Sequence, residues 1–93
     1  MAVRITLEFE ATADQYDKVN DVIEEDTPDG LIVHSAVDNG GTMKIVDIWE
    51  SADKFGAFAE GRLGPEVAAV LGEGASPPTP EIEELHNYEV HGS

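Results

Sequence analysis

Three side chains in this sequence have the chemistry to move a proton near neutral pH: His34, His86 and Asp47. The ordinary pKa of a histidine lies close to neutrality, so either imidazole could accept or donate a proton. Asp47 lies between Val46 and Ile48 in an apolar segment, where a carboxylate must be exposed, paired or in a cavity. We therefore take these three residues as the candidate catalytic groups.

Each histidine also has a structural interpretation. His34 lies in an apolar segment and fits a hydrogen-bonded or partly exposed residue of an edge strand. His86 fits the same description, although the polar groups of Asn87 and Tyr88 beside it favour a site. His91, near the end of the sequence, is expected to take no part.

For Asp47 the favoured interpretation is a structural ion pair with Arg4 or Arg62. The alternative is a carboxylate that lines a pocket, has a raised pKa and acts as a general base. Arg62 lies on the apolar face of a predicted helix, where its stem would pass along Leu63 to reach solvent.

Aromatic side chains supply the candidate pocket walls. They would first of all form the core, and any cavity left between them would suit a flat ligand. The candidate ligand-binding residues are Tyr16, Trp49, Phe55, Phe58, Arg62 and Tyr88.

The elements that must position these residues follow from the hydrophobic periodicity. Alternating or continuous apolar runs predict strands at 3–10, 31–37, 42–49 and 81–90. A first helix is predicted from a capping box at Thr12 to near Asp26, and a second begins after Ser51. Gly64-Pro65 is expected to interrupt the second helix before a short segment that ends at Leu71.

The connectors complete the predicted order. Asp38-Asn39-Gly40-Gly41 contains the Asn-Gly pair of a hairpin, and residues 73–80 form a proline-rich connector before the last strand. The order β-α-β-β-α-β predicts a single α+β domain over 1–93, a ferredoxin-like plait with a four-stranded antiparallel sheet. Its strand order is 4-1-3-2, and both helices cover one face.

This topology places His34 and His86 on opposite edges of the sheet. At ~4.8 Å per strand they are roughly 14 Å apart, so we expect no metal site between them. The strand at 42–49 is apolar on both faces, and two helices can cover only one face of the sheet. The second face therefore predicts a homodimer that pairs sheet to sheet.

Composition narrows the class of protein. The 93 residues carry 20 Asp and Glu against 5 Lys and Arg, a formal net charge of −15 that disfavours nucleic acid and anionic membranes. This excess forms either a solvated acidic surface or a face that docks a basic partner. There is no cysteine, no membrane-spanning apolar run and no signal-peptide pattern at Met1–Arg4, so a cytoplasmic protein is expected.

The junction Asp47-Ile48-Trp49-Glu50-Ser51, followed by Phe55 and Phe58, resembles the dimeric α+β barrel superfamily. Within it the sequence is most similar to the antibiotic biosynthesis monooxygenase-like proteins. The resemblance covers Val3 to Tyr88 and implies two plaits packed as a barrel, with a pocket between sheet and helices for a small apolar ligand. It also implies chemistry without a cofactor, because the Asn and His pattern of haem-degrading members cannot be placed here.

Two classes of function follow from this resemblance. The first is an enzyme, either a cofactor-independent monooxygenase or a cyclase, that acts on an aromatic or polyketide-like substrate with His34, His86 or Asp47 as the base. The second is a small-molecule-binding or stress-related dimer of the same fold that does no catalysis.

Overall fold

The sheet contains four antiparallel strands in the spatial order β2-β3-β1-β4. The computed structural model describes residues 1–72 and 79–91, so most of the predicted connector at 73–80 lies outside the described residues. The strand order equals the predicted 4-1-3-2, which confirms the ferredoxin-like plait. The strands are β1 (Val3–Glu10), β2 (Leu31–Asp38), β3 (Thr42–Trp49) and β4 (Glu81–Glu84).

The first helix, α1 (Ala13–Glu24), begins at the capping box that the sequence predicts. The Thr12 hydroxyl accepts a hydrogen bond from the backbone N–H of Gln15 at 3.2 Å, and the Gln15 side chain accepts one from the backbone N–H of Thr12 at 2.9 Å. Two N–H groups that a helix start leaves without partners are thereby satisfied. None of the side chains of α1 is fully buried, so this helix is the most exposed layer over the sheet.

The second helical region is continuous rather than broken. It consists of α2 (Ala52–Phe58), a π-helical turn (Ala59–Leu63) and α3 (Gly64–Leu71). The predicted break before Gly64-Pro65 takes the form of this π-helical turn, in which the backbone N–H of Gly64 bonds to the carbonyl of Ala59, five residues back, and the predicted segment that ends at Leu71 follows as α3. This wider turn accommodates Pro65, which has no N–H of its own to donate. Across residues 1–72 and 79–91, no helix has the length and apolarity needed to cross a bilayer.

The core lies between the helices and one face of the sheet. Trp49 is fully buried. It packs edge-on against Phe55, with ring centroids 5.5 Å apart, and in a tilted arrangement against Phe58, with ring centroids 5.2 Å apart. Its neighbours on β1 are buried as well, because alternate residues of that strand point toward the helices. The buried cluster consists of Val3, Ile5, Leu7, Ile45, Trp49, Phe55, Leu63 and Val67.

The last strand is shorter than predicted. Strand β4 ends at Glu84, not Val90, because its partner β1 begins at Val3, and the register pairs Val3 with Glu84. One further backbone hydrogen bond joins the N–H of Leu85 to the carbonyl of Ala2 at 3.0 Å. Beyond it β1 offers no further residue to pair with, and residues 86–91 are irregular and exposed.

The second face of the sheet carries no helix in the described part of the chain. Val46 and Ile48 of β3 point to this face and are half-buried, whereas Met43, Ile45, Asp47 and Trp49 point to the helices and are buried. On β2, Val37 is 50% exposed. We call this surface the open face.

Candidate functional site

The β2–β3 hairpin positions the candidate catalytic residues. Its loop uses Gly40 and Gly41 at φ of +73° and +102°, a backbone region that glycine adopts without steric cost. The hairpin register places His34 of β2 directly opposite Asp47 of β3, both pointing toward the helices. Farther along β2 the register shifts by one residue between Leu31 and Val33, a β-bulge that also turns Leu31 toward the helices, opposite Trp49.

Asp47 is the centre of a polar cluster that also contains His34, Trp49 and Tyr16. Only 5% of this residue is exposed, and its two carboxylate oxygens have different partners. His34 Nδ1 donates to Asp47 Oδ1 at 2.7 Å, and Trp49 Nε1 donates to Asp47 Oδ2 at 3.2 Å. A buried carboxylate is stable only when it is paired and hydrogen-bonded, and both conditions are met here.

Tyr16 of α1 completes the cluster. Its hydroxyl is hydrogen-bonded to Nε2 of His34, and the two rings are nearly parallel, with an interplanar angle of 10°. Because a carboxylate can only accept, the Nδ1 atom of His34 carries a hydrogen. In the neutral imidazole, Nε2 is then the acceptor and the Tyr16 hydroxyl is the donor.

The environment shifts two pKa values upward. The hydrogen bond to Asp47 raises the pKa of His34 above its ordinary value, against the opposing effect of partial burial. Burial, aided by the negative charge of Asp47, raises the pKa of Tyr16 to about 12. Tyr16 therefore remains protonated at neutral pH, while His34 is a stronger base than an isolated imidazole.

A cavity of about 260 Å³ lies beside this cluster, between the sheet and the helices. An apolar cavity of about 150 Å³ in another protein is large enough to hold benzene. On that scale this cavity suits a ligand of about two fused rings. Its walls are largely apolar side chains of the sheet and all three helices, including Leu7, Phe9, Tyr16, Val19, Met43, Phe58, Leu63 and Leu71.

The opening of the cavity lies between α1 and the edge strand β2. The lining residues Glu24, Thr27 and His34 are all exposed to solvent. No lysine or arginine of residues 1–72 and 79–91 is among the lining residues, so the ionisable groups there are His34, Asp47, Tyr16 and Glu24. The site can therefore handle a proton, but no lysine or arginine of the described residues is placed there to hold an anionic group.

The structure brings together four of the nine candidate residues in the polar cluster and two more in the cavity wall. His34, Asp47, Tyr16 and Trp49 are joined by hydrogen bonds, and Phe55 and Phe58 line the same cavity. His86 and Tyr88 are exposed and do not line it, because β4 ends before them.

Arg62 has a structural position. Its guanidinium donates to the backbone carbonyls of Asp26 at 2.6 Å and Ile23 at 3.3 Å, and so closes the C-terminal end of α1. It also lies 5.8 Å from the centre of the Phe58 ring. These contacts hold Arg62 outside the cavity lining.

The predicted ion pair between Asp47 and an arginine was wrong. Arg4 pairs with Glu83 across the open face at 2.6 Å, because Arg4 points away from the helices. The partner of Asp47 is instead His34, a contact that sequence reasoning missed. Counting back from the hairpin would have found it, since a loop that pairs Asp38 with Met43 also pairs His34 with Asp47.

Comparison with known proteins supports the fold. No protein-family profile and no curated protein sequence matches this chain. Its structure is similar to that of a candidate antibiotic biosynthesis monooxygenase from Chloroflexus aurantiacus, with a TM-score of 0.64, 15% identity, and coverage of 99% of this chain and 98% of the other. A protein of unknown function from Nitrosomonas europaea gives a TM-score of 0.63, 17% identity, and coverage of 99% and 96%. The chain therefore has an antibiotic biosynthesis monooxygenase-like fold.

Proposed function

We propose that this protein binds a small aromatic molecule that carries a phenol or enol hydroxyl, and that it oxygenates this molecule without a cofactor. The observation that carries the proposal is the Asp47–His34 pair at the wall of a largely apolar cavity. An isolated apolar cavity would suggest binding alone. A base aligned by a buried carboxylate adds a means of activating the bound molecule.

Each residue of the pair has a separate task. Asp47 fixes the tautomer and the ring orientation of His34, and its charge stabilises the imidazolium that forms when His34 takes a proton. Trp49 holds the second oxygen of Asp47, so the carboxylate cannot rotate away from His34 without losing a hydrogen bond. The apolar walls hold the aromatic rings and exclude water from the reacting carbon.

The proposed reaction balances with molecular oxygen as the only co-reactant. His34 Nε2 takes the hydroxyl proton, and the substrate anion transfers two electrons to oxygen as a new carbon–oxygen bond forms. The resulting peroxide anion takes the proton back from His34. Loss of water, which contains the second oxygen atom and the hydrogen of that carbon, then leaves a quinone.

The test uses α-naphthol, a two-ring phenol that would give naphthoquinone and water. We expect the wild type to consume oxygen with this probe and the His34→Gln variant to do so about 10²–10⁴-fold more slowly, the usual contribution of a general base. His86→Gln is the matched control, and its rate should equal that of the wild type. If His34→Gln retained the full rate, the assignment of His34 as the base would be wrong.

A second candidate is a binding protein without catalysis. The observation in its favour is that the Tyr16 hydroxyl already satisfies His34 Nε2, so the cluster is complete without a reacting molecule. Calorimetry and an oxygen electrode together distinguish the two candidates. If calorimetry shows that α-naphthol binds to the wild type, and no oxygen is consumed at any pH from 6 to 9, the binding protein is supported.

A second copy of the chain is the proposed partner at the open face. Val46 and Ile48 are only half-buried there, and a two-fold axis through the sheet would cover both on each copy. We expect the wild type to sediment as a dimer and the Val46→Glu variant as a monomer near 10.0 kDa. Val37→Glu, at the edge of the same face, should weaken the dimer less than Val46→Glu does. A wild type that is monomeric at micromolar concentration would contradict the dimer.

A further inference from the structure

The Tyr16 hydroxyl occupies the atom of His34 that the proposed reaction needs. Nδ1 of His34 is committed to Asp47, so Nε2 alone can accept a proton from a ligand. In the neutral imidazole, Nε2 already accepts a hydrogen bond from Tyr16. The hydroxyl of a phenolic ligand can reach Nε2 of His34 only if it replaces the hydroxyl of Tyr16.

We propose that Tyr16 is a specificity-determining residue that holds the place of the ligand hydroxyl on His34, so that the site selects uncharged molecules with a phenol or enol hydroxyl. This inference rests on the proposed function, because it assumes that ligands are bound at His34. It adds the chemical class of ligand that the site accepts and the residue that enforces the choice.

Acidity decides which hydroxyl remains on Nε2. The more acidic hydroxyl is the stronger hydrogen-bond donor to the imidazole. Burial and the charge of Asp47 make Tyr16 a weaker acid than an ordinary tyrosine, with a pKa of about 12. A phenol or enol has the same donor chemistry as Tyr16 and can replace it on Nε2, whereas an aliphatic alcohol, a far weaker acid, does not.

The other ionisable groups of the cavity decide the charge of the ligand. Asp47 is buried and Glu24 lies at the opening, and within the described residues no lysine or arginine lines the cavity to offset them. A carboxylate or phosphate on the ligand would meet negative charge at the entrance and inside. The ligand must therefore enter uncharged and present its one acidic hydrogen to His34.

The position of Tyr16 permits the exchange. It lies on α1, the helix that has no fully buried side chain, and its ring is only partly buried. Its hydroxyl has His34 as its hydrogen-bond partner, so it can turn toward the opening and bond to water instead. The movement needs no change in the sheet.

The experiment measures the affinity of α-naphthol, naphthalene, α-tetralol and α-naphthoate by calorimetry. Removal of the competing hydroxyl in Tyr16→Phe should tighten α-naphthol binding by about two- to tenfold, the value of one net hydrogen bond. Naphthalene affinity should change less than about twofold, since naphthalene does not compete for Nε2. The wild type should prefer α-naphthol to α-tetralol and α-naphthoate by about tenfold or more.

The matched control is Tyr88→Phe, which changes the other tyrosine of the chain outside the cavity and should leave all four affinities unchanged. Weaker or equal binding of α-naphthol to Tyr16→Phe would overturn the inference. If that variant does not fold, the NMR resonance of the Tyr16 Cζ carbon gives a second test in the wild type. It should shift with α-naphthol far more than with naphthalene, and equal shifts would overturn the inference.

A third variant separates this inference from the proposed function. If His34→Gln loses the preference for α-naphthol over naphthalene while Tyr16→Phe shows no gain, His34 remains the binding group and only the role of Tyr16 is wrong. If His34→Gln retains the preference, ligands are not bound at His34, and both proposals fail.

Discussion

The two edges of the sheet carry similar residues in different surroundings. Strand β2 contains His34, and the chain just beyond β4 contains His86. His34 has the buried Asp47 opposite it on β3 and Tyr16 above it on α1. His86 follows a four-residue strand whose side chains are all exposed. The two histidines differ because a second layer covers only one edge, where a buried carboxylate orients the ring.

The largest expected effect is a loss of stability, which should differ between side chains packed next to the two edges. Trp49, paired with Leu31 of β2, is 0% exposed, whereas Ile82 of β4 is 47% exposed. We expect Trp49→Ala to lower the free energy of unfolding by about 3–5 kcal/mol, because it leaves a cavity and removes a partner of Asp47. Ile82→Ala should cost about 1 kcal/mol or less, since half of that side chain is already in water. Urea denaturation measures both, and equal losses would break the contrast.

A smaller loss of stability is expected when a carboxylate beside either edge is neutralised, and the buried one should matter more. Asp47→Asn removes the charge that His34 and Trp49 share in a buried position, and should cost about 1–3 kcal/mol of unfolding free energy. Glu83→Gln weakens an exposed pair with Arg4 and should cost less than Asp47→Asn, because solvent screens exposed charges. Thermal denaturation of the two variants gives the comparison. A larger loss from Glu83→Gln would show that the buried cluster contributes less than the surface pair.

The smallest expected effect is a pH dependence. Because the pKa of His34 is raised in the folded state, its protonated form stabilises the fold fully below the unfolded pKa of about 6.5, and this contribution is lost as pH rises through the folded pKa. The stability advantage of the wild type over His34→Gln should therefore shrink from pH 6 to pH 8.

Turnover should change with pH in the opposite direction from stability. Only neutral His34 can accept the substrate proton, so oxygen consumption should rise as pH rises through the raised pKa. Parallel trends of stability and turnover would show that a different group acts as the base.

Local signals in the sequence were sufficient for most of the fold. The alternation of β1, the Thr12–Gln15 capping box and the Asn-Gly hairpin each depend on neighbours within a few residues. Together with the element order they gave the sheet topology. The end of β4 was predicted too late, because it depends on where β1 begins, at the other end of the chain.

The site was less accessible from the sequence, because its contacts join distant elements. The exception is the partner of Asp47, which the hairpin register encodes; the predicted ion pair with Arg4 was wrong because Arg4 faces the opposite side of the sheet. The contact of Tyr16 with His34 depends on the placement of α1 above β2. No spacing along the chain encodes that placement.

The bulge in β2 affects how this site should be sought in related chains. The extra residue, between Leu31 and His34, lies on the far side of His34 from the hairpin, so the hairpin register is independent of it. A relative one residue shorter at Ile32 would still align its histidine with the carboxylate on the neighbouring strand. Alignments should therefore look for the histidine four positions before the residue that matches Asp38, and they should permit a gap before Val33.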